Sequence, residues 1–129
     1  MKRSPLRKKS KRLTMPKLRD KAWKHFSLYI RHRGSVVGYN KCVTCDIVFP
    51  ISELHAGHFE HGKTKEFYFD EDNVHPQCPR CNHFLSGNLI KYTLFMLKEY
   101  GQNTIDRLMA SKKTVWKRTY LEDLIKKYK

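Results

Sequence analysis

The chain has 129 residues with 27 Lys+Arg against 12 Asp+Glu, a formal charge of +15, so one small, strongly basic domain is expected. No apolar run approaches the ~20 residues needed to cross a bilayer, which excludes a transmembrane helix and a membrane partner. The basic start, Met1 to Arg12, is followed by no apolar stretch of the signal-peptide kind, so a reducing cytoplasm is expected. There the four cysteines are metal ligands before they are disulfides.

The charge is concentrated at the front. Residues 1–33 hold 13 Lys and Arg and a single acid, Asp20. Lys and Arg that neutralise phosphates release condensed counterions, so such a segment binds nucleic acid in a salt-sensitive, sequence-independent way; the plainer alternative is a solubilising tail. Residues 1–13 offer only Met1, Leu6 and Leu13 to a core and read as a disordered arm carrying Lys8, Lys9, Lys11 and Arg12. Residues 14–129 read as one domain. Thr14 with Pro16 opens a helix whose stripe is Leu18, Ala22, Phe26 and Tyr29, widened by Trp23 and Ile30, and Gly34 ends it. Lys17, Lys21, Lys24 and Arg31 then face DNA.

Between residues 35 and 69 the period shortens. Val36 to Tyr39, Ile47 to Phe49, Leu54 to Phe59 and Phe67 to Phe69 are short strand-like runs broken by Gly38, Pro50 and Gly62. After Cys81 the pattern is helical again, with Leu85, Leu89, Tyr92, Met96 and Tyr100 on one face and Gly101 as a stop. A short helix follows Asn103. Thr119 with Glu122 has the form of a capping box ahead of a last helix striped by Leu121, Leu124, Ile125 and Tyr128. The class is α+β, with an N-terminal helix (14–34), a core (35–101) and C-terminal helices (102–129).

Cys42-Val-Thr-Cys45 and Cys78-Pro-Arg-Cys81 are two CxxC knuckles, the spacing that lets two thiolates of one turn reach a tetrahedral Zn²⁺. A structural zinc held by all four thiolates is expected, and it staples a small domain because its binding free energy is folding free energy. Residues 46–77 separate the knuckles, longer than the ~15–20 residues of a plain zinc ribbon. This insertion contains Glu53-Leu54-His55-Ala56-Gly57-His58-Phe59-Glu60-His61. If it is a strand, His58 and Glu60 share one face, while His55 and His61 lie on the other.

The second knuckle is preceded by Asp70-Glu71-Asp72-Asn73-Val74-His75-Pro76-Gln77 and followed by Asn82 and His83. Here the chain resembles the HNH, or ββα-metal, nucleases, with Asn73 nine residues before Asn82 and His58 in the place of the first His. The segments AWKHFSLYIRHR, CVTC, ELHAGHF, FYFDEDNVHPQCPRCNHFLSGN and MLKEYG, over about residues 21–112, resemble more narrowly the phage recombination family NinG, also called Rap. The paired CxxC motifs around the His also resemble phage endonuclease VII. The resemblance implies a zinc-stapled ββα-metal core in a phage- or prophage-encoded protein of the bacterial cytoplasm. It also implies a metal-dependent endonuclease acting on branched DNA such as Holliday junctions and D-loops.

Carried onto this chain, the family pattern makes His58 the general base and Asn73 the residue that orients its strand. Asn82 becomes an oxygen ligand of a catalytic Mg²⁺ or Mn²⁺. Many family members have an Asp or His ligand just before the base, where this chain has Gly57, so another residue must complete the metal shell. Glu60 and His83 are the first candidates, with His55, Asp72 or waters behind them, and His75 reads as structural. Asn88 is either near DNA or packed, and Trp116 is read as core with DNA contact as the alternative. A homodimer is expected if a four-way junction is cut symmetrically. Two other functions remain open: a non-catalytic zinc-knuckle nucleic-acid binder, and a sequence-specific homing or restriction enzyme.

Overall fold

The computed structural model describes residues 12–129. Most of the arm expected to be disordered, including Lys8, Lys9 and Lys11, lies outside the described residues. Helix α1, Met15–His32, starts after an extended Thr14 with Pro16 in its first turn, where a missing N–H costs nothing. It ends before Gly34 at φ +77°, a left-handed conformation that glycine adopts freely. Leu18, Ala22, Phe26 and Ile30 are its buried stripe. Each large apolar residue buried there contributes about 1.5–3 kcal/mol.

Strands β1 (Tyr39–Lys41) and β2 (Val48–Pro50) pair antiparallel and carry the first knuckle between them. Strands β3 (His55–His58) and β4 (Val74–Gln77) form a second antiparallel hairpin, with His55 opposite Gln77, Gly57 opposite His75 and His58 opposite Val74. A wide π-helical turn, Arg80–Phe84, begins inside the second knuckle and contains Cys81, and Leu85 N–H bonds Arg80 O five residues back. Three helices complete the chain: α2 (Leu89–Glu99), α3 (Gln102–Met109) and α4 (Arg118–Tyr128).

The core is divided into three parts. Stripes of α1 and α4 enclose Tyr68, Phe69 and Val74; Phe59 joins α2 and α3 through Tyr92, Met96, Ile105 and Leu108; and the cysteines surround Leu54. Residues therefore alternate across the β3–β4 hairpin. Ala56 and Val74 pack toward α1, whereas Gly57 and His75 meet Tyr92 of α2.

Four expectations need correction. Phe67–Phe69 is a turn rather than a strand, because Tyr68 and Phe69 both insert into the α1–α4 core and cannot alternate between faces. The partner of β3 is Val74–Gln77, which the sequence obscured with Pro76 and a polar His75 and Gln77. The helix after Cys81 is broken at Ser86–Asn88, where three successive residues take positive φ, so Leu85 precedes α2 rather than opening it. The capping box does not form, since α4 starts at Arg118 behind an extended Lys117 with no side-chain cap.

Candidate functional site

The four cysteine sulfurs lie within 4.8 Å of one another, and Cys45 Sγ and Cys78 Sγ are 3.8 Å apart. A tetrahedron with Zn–S of about 2.3 Å has edges of roughly 3.8 Å. The surroundings suit thiolates: Thr44 Oγ1 lies 3.3 Å from Cys42 Sγ, Asn88 Nδ2 donates to Cys81 Sγ at 3.6 Å, and Cys81 N donates to Cys78 Sγ at 3.5 Å. Burial opposes ionisation of Cys42, but hydrogen bonds from Thr44 and nearby backbone amides bring its thiol down to about 7. Burial and the adjacent Cys42 push Cys45 up to about 12. Only a bound cation lets all four ionise together, so the donor set fits zinc.

His58 sits on the α1-facing side of β3, half-buried. Its ring centroid is 4.9 Å from Trp23 and 4.5 Å from Tyr68, with planes 18° and 22° apart. Its Nε2 is 2.9 Å from Tyr68 O. A carbonyl only accepts, so Nε2 carries the proton and Nδ1 keeps the lone pair. Burial lowers the pKa to about 4, against the Tyr68 hydrogen bond that favours the charged form, so the ring is neutral at pH 7.

Asn73, 1% exposed, uses its whole amide. Its Nδ2 donates to Glu60 O and Phe67 O, each at 3.0 Å, and its Oδ1 accepts Glu60 N at 2.8 Å. It thereby ties both ends of the loop after β3.

On the α2-facing side, a chain of hydrogen bonds ends at Gly57. Tyr92 Oη donates to Gly57 O at 2.7 Å, so at the 2.9 Å contact His75 Nδ1 must be the donor to Tyr92 Oη. His75 Nε2 then accepts from Tyr100 Oη at 2.7 Å. Burial depresses His75 to about 3, in keeping with this neutral tautomer.

Asn82, in the π-helical turn, has Nδ2 3.1 Å from His55 Nδ1. Asn82 and His55 line an open groove of about 460 Å³ with Trp23, Ser27, Arg31, Ser52, Leu54 and Ala56. Trp23, which packs on His58, and Asn82 thus border one groove, and Arg31 of the basic helix reaches it. Lys17, Lys21 and Lys24 are exposed on α1, as is Arg12 before it.

A family model described as Bacteriophage Lambda NinG protein matches residues 1–129. The chain belongs to the NinG family. The ninG proteins of Escherichia phage 933W and Escherichia phage lambda are 31% and 30% identical to it over 71 residues, and that of Salmonella phage P22 is 30% identical over 73. These alignments cover 54–56% of this chain and 34–36% of the relatives. The chain therefore spans about a third of the length of the curated relatives it matches. No solved structure matches.

In this NinG chain two of the remaining candidate ligands are held in ion pairs. Glu60 pairs with Lys65 at 2.7 Å, Asp72 pairs with Arg107 at 3.0 Å, and His83 is exposed against the ring of Phe84. His55 is the residue brought against Asn82. Trp116 is partly buried against Phe69 and donates to Lys63 O. Thr44, Asn88, Tyr92 and Gln77 were not singled out in the sequence for these contacts. Gln77 had one available signal: with His75 it makes a period-two pair of polar residues in a segment that is buried throughout.

Proposed function

We propose that this chain is a metal-dependent DNA endonuclease of the HNH, or ββα-metal, kind, acting on branched recombination intermediates in the cytoplasm of a phage-infected bacterium. The observation that carries the reading is the state of His58. Its Nε2 proton is committed to Tyr68 O, which turns a neutral Nδ1 lone pair into the basic nitrogen. The order of parts supports it: a strand ending in His58, a return strand entered through Asn73, then a knuckle and a helical turn carrying Asn82.

In this reading His58 Nδ1 removes a proton from the water that attacks phosphorus. Asn73 holds the loop through which Tyr68 fixes the ring, so it is a positioning residue. Asn82 offers an oxygen to Mg²⁺ or Mn²⁺, which when bound neutralises charge on the phosphate and on the leaving 3′ oxygen. Arg31, with Lys17, Lys21 and Lys24 along α1, holds the backbone by charge and reads no bases. Selectivity then comes from branch shape, and symmetric cutting of a four-way junction calls for a homodimer.

A second reading, a zinc-stapled nucleic-acid binder without catalysis, is favoured by the packing of the His58 ring among Trp23 and Tyr68. One experiment separates them: end-labelled four-way, flap and linear duplex DNA with Mg²⁺, Mn²⁺ or EDTA, for wild type and His58→Ala. Metal-dependent cuts near the branch, reduced about 10²–10⁴-fold in the variant with binding retained, support the nuclease. Undiminished cutting in the variant removes His58 as base. Binding without cutting under any metal leaves the second reading.

A further inference from the structure

The loop from α3 to α4 is tied down on both sides of an exposed apolar residue. Before that residue, Glu66 N donates to Lys112 O at 3.0 Å, Lys112 N to Glu66 Oε1 at 3.2 Å and Thr114 N to Thr64 O at 2.7 Å. After it, Trp116 Nε1 donates to Lys63 O at 3.2 Å, and the Trp116 ring meets Phe69 and stacks on Tyr120. Val115, between these anchors, is 91% exposed. A single exposed valine is ordinary on a protein surface, but this one stands between two hollows. One, of about 290 Å³, is walled by Met15, Pro16, Val115, Trp116 and Leu121, with Arg19 as its charged member. The other, of about 350 Å³, is lined by Thr64, Lys113, Thr114 and Val115.

The charge around the hollows has one sign. Residues 111–118 hold Lys112, Lys113, Lys117 and Arg118 and no acid. Lys63, Lys112, Lys113 and Lys117 are exposed and form no ion pair among the described residues. Apolar walls inside a ring of free lysines match a nucleobase joined to its phosphates, the base taken by contact and the phosphates by charge. The same hollow is also in line with the hairpin site. Arg19, Trp23, Ser27 and Arg31 recur every four residues along α1; Arg19 lines the hollow, the other three line the groove beside Asn82, and Trp23 packs on His58. Four residues of helix advance about 6 Å, close to two steps of a stacked strand at about 3.4 Å each. We propose that Val115 is a wedge for the branch point: it enters the open base step of a branched DNA, the displaced base lies in the hollow beside Trp116 and Leu121, and Lys112, Lys113 and Lys117 hold the neighbouring phosphates. The inference deepens the nuclease reading and rests on it for the substrate, adding a readout of shape that the charges of α1 lack. Intact linear duplex offers no open step, so it gains from the lysines alone.

The test is binding by the zinc-loaded full chain, without added Mg²⁺ or Mn²⁺, to four-way, flap and linear duplex DNA carrying 2-aminopurine at the branch base or at its linear counterpart. Wild type, Val115→Ser, Val115→Met and Lys113→Ala are compared. Wild type should prefer branched DNA and raise the 2-aminopurine fluorescence at the branch as the base leaves the stack. Val115→Ser should lose about tenfold in affinity for branched DNA alone, together with the fluorescence change. Val115→Met, still apolar, should keep both. Lys113→Ala should weaken all three DNAs alike and lower the salt slope by about 1. The inference is overturned by a wild type with no branch preference, by equal losses on linear duplex in Val115→Ser, or by a Val115→Ser that keeps the preference and the fluorescence change. If Val115→Ser instead alters only the sedimentation of the DNA-free protein, the hollows belong to a second copy of the chain and the wedge is likewise rejected. Branch-selective cutting with Mg²⁺ that survives Val115→Ser sinks the wedge and spares the nuclease. Val115-dependent branch binding by a chain that never cuts spares the wedge and sinks the nuclease.

Discussion

The two faces of the β3–β4 hairpin are built to opposite rules. Toward α1, His58 has its Nε2 committed to Tyr68 O and its ring packed against Trp23 and Tyr68, leaving one nitrogen without a backbone partner. Toward α2, a fully satisfied line from Tyr100 through His75 and Tyr92 fixes Gly57 O, and beside it Gln77 Oε1 is buried with no hydrogen-bond partner among the described residues. One face thus holds a neutral imidazole and the other a buried amide oxygen without a partner among the described residues. Hydrogen bonds hold the surroundings of His58 and Gln77 still, and few buried groups among the described residues are left unsatisfied.

The largest effect comes from breaking what both faces share. The cysteine cluster anchors the end of β4 and the π-helical turn, so stripping zinc or introducing Cys81→Ser should disorder both faces together. Structural zinc is worth on the order of 10 kcal/mol in small domains. Amide dispersion for residues 55–58 and 74–84 should collapse in heteronuclear spectra, while circular dichroism retains much of the helicity of α1 and α4, whose core is separate. Unchanged spectra after verified metal removal would show that the hairpin stands without the staple.

Next in size is Asn73→Ala, which acts on the loop after β3. It leaves Glu60 O, Phe67 O and Glu60 N without partners, at a cost of about 3–4 kcal/mol. Urea unfolding measures the loss, and hydrogen exchange should localise the opening to residues 59–68. A loss under 1 kcal/mol would mean that the loop is held by its aromatic packing instead.

These effects follow the line between what the sequence makes legible and what it does not. Period-3.6 stripes predict α1 and α4, and the CxxC spacing predicts the cysteine cluster, because both depend on local regularities. The strand of His58 is also readable, from Gly57 and the alternation around it. Strand β4 is not, since its polar residues are buried by partners 10 to 33 residues away in sequence. The break at Ser86–Asn88 is hidden because only Gly87 announces positive φ, while Ser86 and Asn88 adopt it as well. Glu60, a candidate ligand from strand alternation, pairs with Lys65 five residues on, a contact that alternation does not reveal.

Protonation offers a sharper probe of the α1 face. Folding holds His58 neutral, with its pKa lowered from 6.5 to about 4 chiefly by burial. Its contribution to stability is therefore full above pH 6.5 and is lost as pH falls from there toward 4, because the unfolded chain takes up the proton first. The loss attributable to this ring should be about 1.4 kcal/mol by pH 5.5 and no more than about 3 kcal/mol at pH 4. The check is the difference in unfolding free energy between wild type and His58→Phe, measured from pH 7.5 to 5. A difference that does not change with pH would show that the imidazole is solvated and free to charge, and the neutral-base argument would fall with it.

The smallest and most local change is Tyr92→Phe, which asks whether the two faces are mechanically separate. Phe keeps the ring packed against Phe59 and Phe95. It removes the donor to Gly57 O and the acceptor for His75 Nδ1, so about 1–2 kcal/mol of stability should go. Without that donor, Gly57 is free to move relative to α2, and the Gln77 side chain that lies against it moves with it. Chemical-shift changes should therefore concentrate at Gly57, His75, Gln77 and Asn82, leaving the Trp23 indole and the His58 ring where they were. If the shifts spread equally to Trp23 and His58, the strand transmits displacement from one face to the other. The two faces would then have to be regarded as one adjustable unit rather than two separate ones.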